Sequence, residues 1–146
     1  MSDEEQKLKI ACTIRCMDPS SVKNAMQTLD AGGIVRVPYT CQLSGNKEEI
    51  LLLGDTLANA ISEVVIEAED AGDAKILAGL FSAELCECDV ATLTMMPESE
   101  VVSRLQALEK NGVLSRRKID GMNYYRLESG DVRRYIEAVL TMNHVS

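Results

Sequence analysis

With 146 residues, 46% of them hydrophobic, and a mean hydropathy of −0.04, the chain has the composition of one ordinary globular domain or of two small ones sharing a core. No apolar run approaches the ~20 residues that cross a bilayer, and the acidic, polar start Met1-Ser2-Asp3-Glu4-Glu5-Gln6 is no secretory signal, so a cytoplasmic protein without membrane contact is expected. The net charge of −8 opposes contact with phosphates, yet it is unevenly spread: residues 1–96 carry 7 basic and 16 acidic side chains, and residues 97–146 carry 8 and 7, with Arg116, Arg117 and Lys118 adjacent.

Residues 7–16 alternate strictly. Leu8, Ile10, Cys12, Ile14 and Cys16 fall on one side and polar or small residues on the other, the period of a half-buried strand. Asp18-Pro19 opens a helix carrying Val22, Ala25, Met26 and Leu29, which Gly32-Gly33 ends. Residues 34–40 read as extended, with Pro38 favouring an edge, and Ser44-Gly45-Asn46 turns the chain into a returning strand over 49–53. Asp55 or Thr56 is the expected cap of a helix bearing Leu57, Ile61, Val64 and Val65. Residues 1–70 therefore read as a small β-α-β-β-α domain, a candidate for dimerisation or sensing, and Asp70-Ala71-Gly72-Asp73 as its boundary.

Residues 71–146 read differently. Ile76, Leu77, Leu80 and Phe81 share a face of a short helix, a second short helix is expected near 89–93, and a third runs over 98–110 with Val101, Leu105 and Leu108 inward. Asn111-Gly112 is a left-handed helix stop. Residues 113–118 and 123–127 form a hairpin around Asp120-Gly121, and Asp131 is expected to cap a last helix of Val132, Tyr135, Ile136, Val139 and Leu140. The fold class is α+β, with a C-terminal winged helix-turn-helix. A slim third helix enters a major groove about 12 Å wide, and a basic hairpin reaches the adjacent backbone. Ser99, Ser103, Arg104 and Gln106 on that helix, with Arg116, Arg117 and Lys118 on the hairpin, are the expected contacts to duplex DNA.

Three separated motifs occur in order: Glu84-Leu85-Cys86-Glu87-Cys88-Asp89-Val90-Ala91, then Val101-Val102-Ser103-Arg104-Leu105-Gln106-Ala107-Leu108-Glu109-Lys110-Asn111-Gly112-Val113-Leu114, and finally Tyr124-Tyr125-Arg126-Leu127. Together they resemble the ArsR/SmtB family of metal-responsive repressors, over residues 73–140. The resemblance implies a cytoplasmic homodimeric transcription regulator, bound to a double-stranded operator and released by a thiophilic metal or by thiol modification. Where members carry Ser or Thr, a polar residue and His on the recognition helix, this chain has Glu100, Val102 and Arg104. In the N-terminal part the β-α-β-β-α order, with Cys12-Thr13-Ile14-Arg15 near its start and Ser44-Gly45-Asn46 before the third strand, faintly resembles the small dimerising scaffold subunits of the KEOPS tRNA-modification complex.

Five cysteines in a reducing compartment read as core residues, metal ligands or redox thiols before disulfides. The resemblance makes Cys86 and Cys88 ligands for Zn(II), Cd(II), Pb(II) or As(III), soft or borderline ions that thiolates favour. Residues two apart on a regular helix point roughly 200° away from each other, so these two converge only where the helix start is unwound. Cys12-Thr13-Ile14-Arg15-Cys16 has the Cys-x-x-x-Cys spacing that cadmium-type members bring from an N-terminal arm. As a strand it holds the two thiols ~13 Å apart, against Zn–S bonds of ~2.3 Å. Cys12 and Cys16 are therefore either ligands on an arm or core residues of a sheet. Asp131 and His144 match part of a second family site, but Arg133 takes the place of the ligand between them.

No glycine-rich phosphate loop appears, and no Ser or Cys has a base nearby in a recognisable motif, so an enzyme is not expected. The alternative to a DNA-binding regulator is an assembly or scaffold subunit that uses the winged helix for protein contacts.

Overall fold

The computed structural model describes residues 34–40 and 47–142, with side chains from residue 50 onward. The expected strand over 7–16, the helix after it, the Ser44-Gly45-Asn46 turn, Cys12, Cys16, Cys41 and His144 lie outside the described residues.

Strands β1 (Ile34–Thr40) and β2 (Lys47–Leu53) pair antiparallel, Ile34 opposite Leu53 and Pro38 opposite Glu49. In β2 the four consecutive residues Ile50, Leu51, Leu52 and Leu53 are all buried. An unbroken apolar run rather than an alternating one means that both faces of the strand are covered. Helix α1 (Asp55–Val64) follows with Gly54 at its N-cap. Asp55 is not the cap: its carboxylate accepts from Lys75 at 2.7 Å.

Helix α2 (Ala71–Ser82) begins inside the segment that the sequence marks as a break. The Asp70 carboxylate accepts the Asp73 N–H at 3.1 Å, and the Asp73 carboxylate accepts the Glu69 N–H at 3.0 Å. The first bond satisfies a donor that the helix start leaves open and the second ties the residue before the cap back onto the first turn, which turns a helix-breaking composition into a helix start. Beyond them Ala74, Ile76, Leu77, Ala78, Gly79 and Leu80 are all buried. A helix that is apolar all round belongs at the centre of a core. It packs against β2 and α1, and Leu51 N–H donates to Ser82 Oγ at 3.2 Å.

The remaining elements are β3 (Leu85–Cys86), α3 (Glu87–Thr94), α4 (Glu98–Lys110), β4 (Leu114–Ile119), β5 (Met122–Leu127) and α5 (Gly130–Met142). Between α3 and α4 the chain turns through Met95 at φ 57°, ψ 29°, a left-handed conformation that non-glycine residues adopt rarely. Gly79 lets α3 approach α2 closely, since a Cβ there would lie 3.0 Å from Leu93 Cδ1. Helix α4 stops at Asn111-Gly112, with Gly112 at φ +80°. Positive φ at both Asp120 (52°) and Gly121 (80°) gives the β4–β5 hairpin the tight turn that matches strand twist. The sheet order is β3-β5-β4, antiparallel throughout. Ser129 caps α5, its Oγ accepting the Val132 N–H at 3.2 Å; Asp131, the expected cap, pairs instead with Arg134.

The class is α+β, and α2 to β5 form a winged helix-turn-helix. Of the β-α-β-β-α segment ahead of it, the β-β-α part is described. Buried side chains from Ile50 to Leu140 form one cluster that runs across residue 70, joining β2 and α1 to the winged helix.

Candidate nucleic-acid interface

Helix α4 turns Val101, Leu105 and Leu108 into the core. Ser99, Ser103, Gln106 and Lys110 are exposed and recur at steps of four, three and four residues, a single stripe opposite the buried one. Lys110 belongs to this stripe although it was not among the expected contacts. The helical spacing that selects Ser103 and Gln106 also selects Lys110. Glu98 and Glu100 occupy the first turn. There they complement the helix dipole, but they repel phosphate.

Arg104 does not share the open stripe. One guanidinium nitrogen lies 2.7 Å from Asp70 Oδ1 and 2.9 Å from Asp73 Oδ1, the other 3.2 Å from Asp70 Oδ2 and 3.9 Å from Glu100. Its side chain is 23% exposed, and Asp73 beneath it only 7%. A Cβ on Gly72 would meet the guanidinium at 2.9 Å, so the bare backbone of that turn makes room for it. Arg104 therefore ties the recognition helix to the start of α2. The hydrogen bonds from Arg104 and from the Asp73 backbone hold the Asp70 carboxyl below the usual carboxylate range, and the same carboxylates push the Arg104 pKa upward.

On the hairpin, alternation separates the three basic residues. Arg116 and Lys118 share one face and Arg117 takes the other. Arg116 reaches Glu109 of α4 at 3.3 Å and Asn123 at 3.4 Å. Arg117 makes a bidentate pair with Glu84, at 2.5 and 2.7 Å. Lys118 is exposed and makes no ion pair among the described residues. Glu87 accepts from Asn123 at 3.5 Å and from the Tyr125 hydroxyl at 3.4 Å. Burial first, then the neighbouring Glu87 and Glu109, pushes the Tyr125 phenol up to about 12.

Cys86 lies on β3 opposite Tyr124, and its backbone is extended (φ −80°, ψ 165°), so the helix starts only after it. Cys86 is thus the N-cap position and Cys88 lies in the first turn of the helix. Cys86 is buried; desolvation and then the Asp89 charge push its thiol up to about 12. Cys88, half-buried, points Sγ at Glu98 Oε1, 3.7 Å away, and its thiol is also raised, by burial first and then by Glu98. Among the described residues no group of three His, Cys, Asp or Glu side chains is placed to hold a metal ion.

A groove of about 330 Å³ flanks the recognition helix, lined by Glu67, Glu69, Asp73, Glu100, Ser103 and Arg104. Its lining is largely acidic and includes Ser103 of the exposed stripe. The sequence names the carboxylates that organise this region only within a boundary segment (Asp70, Asp73) and a motif (Glu84), not as partners of the arginines. Only Asp70 and Asp73 carried a local signal, the Asp-x-x-Asp spacing of a helix start. Glu84 meets Arg117 across 33 residues, which no local pattern announces.

The helix-turn-helix, its exposed third helix and the basic hairpin define a winged helix-turn-helix protein. No family profile matches the chain, and no curated protein does. Among solved structures, the chain is similar to a crystal structure of residues 1–100 of a Mycobacterium bovis protein described as a possible transcriptional regulatory protein. The identity is 25%, the TM-score 0.47, and the match covers 60% of this chain and 91% of that one. It is also similar to an NMR structure from Mycobacterium bovis described as the homodimeric winged helix-turn-helix DNA-binding domain of a possible ArsR-family transcriptional regulator. There the identity is 24%, the TM-score 0.49, and the coverage 61% of this chain and 80% of that one. Among the described residues no helix is long and apolar enough to cross a membrane.

Proposed function

We propose that the protein is a DNA-binding transcriptional regulator of ArsR type, acting as a homodimer on a double-stranded operator. The observation that carries this reading is the open stripe Ser99, Ser103, Gln106 and Lys110 on α4, beside Arg116 and Lys118 on the wing. Serine and glutamine side chains donate and accept to base edges. The lysines and Arg116 meet phosphates. A two-fold partner sets two such helices about one DNA turn, ~34 Å, apart. Thiophilic metal or thiol chemistry at Cys86 and Cys88 is the proposed signal. It is supported by the resemblance of their motif and by the position of Cys86 just before the helix that carries Cys88.

A second reading is favoured by the ion pairs of the wing and helix. Arg104, Arg116 and Arg117 already face carboxylates, as suits a winged helix used for protein contacts.

Titration of a labelled duplex from the upstream region of the protein's own operon, and of a random duplex, separates the two. Three cations per protomer, each displacing about 0.9 counterion, predict a slope of log affinity on log salt near −5 for the dimer. Absence of any salt-sensitive binding excludes the regulator and leaves the protein-contact reading. Repeating the titration with Cd(II), Zn(II) and arsenite tests the signal. An affinity unchanged by all three, or changed equally in the Cys86→Ser/Cys88→Ser variant, excludes sensing at those thiols.

A further inference from the structure

One face of the three-stranded sheet carries a row of paired residues, Cys86 on β3, Tyr124 on β5 and Arg117 on β4, the first two of them buried. Glu84 precedes β3 immediately, at one edge of this sheet, and Arg117 sits at the other. Their bidentate pair, at 2.5 and 2.7 Å, therefore spans the middle strand and ties both edges together. Glu84 is well seated, at 18% side-chain exposure, whereas Arg117 is 59% exposed. The anchor is thus on the body of the protein and the guanidinium is what it holds.

The opposite face of the same hairpin is held by other groups. Glu87 bonds Asn123 and Tyr125 of β5, while Arg116 of β4 reaches Glu109 on α4. A projecting hairpin tethered on one face only would lean toward that face. Tethers on both faces fix its angle to the recognition helix.

We infer that Arg117 is a positioning residue rather than a phosphate contact: with Glu84 it forms a strap that aims the wing, leaving Arg116 and Lys118 on the face turned toward α4. This assignment rests on the DNA-binding reading for its consequence, but the strap itself can be read in the free protein. A bidentate Arg–carboxylate pair has fixed geometry, so its loss changes direction as well as charge.

The experiment compares full-length wild type with Glu84→Gln, Arg117→Gln, Lys118→Gln and the double swap Glu84→Arg/Arg117→Glu. The readouts are duplex affinity over a salt series and amide hydrogen exchange across residues 114–127. Glu84→Gln and Arg117→Gln are expected to weaken binding similarly, by up to about fivefold, the range of a partly exposed pair. Both should speed exchange in the hairpin while α4 is unchanged, and both should leave the salt slope at its wild-type value. Lys118→Gln should lower the slope by about 0.9 per protomer. The double swap should recover most of the lost affinity, which a phosphate contact replaced by Glu cannot do.

A slope lowered by Arg117→Gln as much as by Lys118→Gln overturns the inference, as does a double swap that binds worse than either single variant. If wild type shows no salt-sensitive binding, the DNA reading fails by itself. The strap then stands or falls on exchange alone, and unchanged hairpin exchange in Glu84→Gln overturns it.

Discussion

A thiol attacks as its thiolate, so the carboxylates around Cys88 govern its chemistry. Burial and the Glu98 carboxylate 3.7 Å away both disfavour the negative sulfur, and both raise its pKa. Alkylation of Cys88 by iodoacetamide at neutral pH should therefore be slower than that of an unhindered thiol. Its rate should keep climbing with pH beyond the point where a free cysteine levels off. Glu98→Gln removes the charge and moves the whole rate profile to lower pH. A profile unmoved by that change would mean that Glu98 does not face the thiol in solution. Cys86 adds a stability effect of definite sign. Its folded pKa of about 12 lies above the ordinary value of 9.0, so the folded state keeps a proton that the unfolded state gives up. That contribution is complete below pH 9.0 and is lost as pH rises toward about 12. The sequence motif identified both cysteines but not these neighbours. Glu98 lies across the helix-turn-helix turn from Cys88, and Asp70 and Asp73 meet Arg104 across more than thirty residues. Helical periodicity places a side chain on a face; it carries no information about which distant carboxylate occupies that face.

Elements are more legible in the sequence than contacts because their signals are local. The buried Val101, Leu105 and Leu108 stripe defines α4, and Asp120-Gly121 locates the hairpin turn, both from spacing within a few residues. Helix starts are less legible, since several acidic or hydroxyl residues compete for each cap and the sequence does not rank them. At α5 the competition is between Ser129 and Asp131. Only Ser129 closes on a backbone donor, Val132 N–H at 3.2 Å, and its carbonyl also accepts the Arg133 N–H at 3.1 Å. Ser129→Ala should cost about 1 kcal/mol of unfolding free energy. Asp131→Ala, which removes an exposed pair with Arg134, should cost a few tenths at most. Urea unfolding of the two variants checks the order, and equal losses would count against Ser129 as the cap. The break assigned to residues 70–73 has the same origin. Asp, Gly and Asp interrupt a hydrophobic pattern whether they end one element or cap the next, and only the bonds to Asp73 N–H and Glu69 N–H decide.

Across the whole molecule the deciding feature is how β2 and α1 relate to the winged helix. The sequence shows a change of pattern near residue 70 and reads it as a boundary between small domains. Burial is continuous there: Ile61 of α1 and Leu105 of α4 are both fully buried, and both belong to the cluster that α2 centres. Alternating and helical patterns say which side chains turn inward. They do not say whether two inward faces meet the same neighbour, which is why this relation was not legible before the structure. A shared core has a thermodynamic signature. Truncating a buried Leu or Ile to Ala costs about 2–5 kcal/mol through lost transfer energy and the cavity left behind. If β2, α1 and the winged helix unfold together, Ile61→Ala and Leu105→Ala should each lower the midpoint of one common transition, with circular dichroism and tyrosine fluorescence tracing the same curve. In a Tyr39→Phe/Tyr135→Phe background Tyr124 and Tyr125, buried in the wing sheet, are the remaining tyrosines and report on the winged helix. The informative variant is therefore Ile61→Ala, a change in α1 read out through tyrosines in β5. If Ile61→Ala shifts the circular dichroism while the tyrosine signal keeps its wild-type midpoint, the two parts unfold separately and the shared core does not couple them. A single displaced midpoint in both signals makes α1 a structural part of the winged-helix unit, so that events at the N-terminal side of residue 70 reach α4 through α2 rather than through a linker.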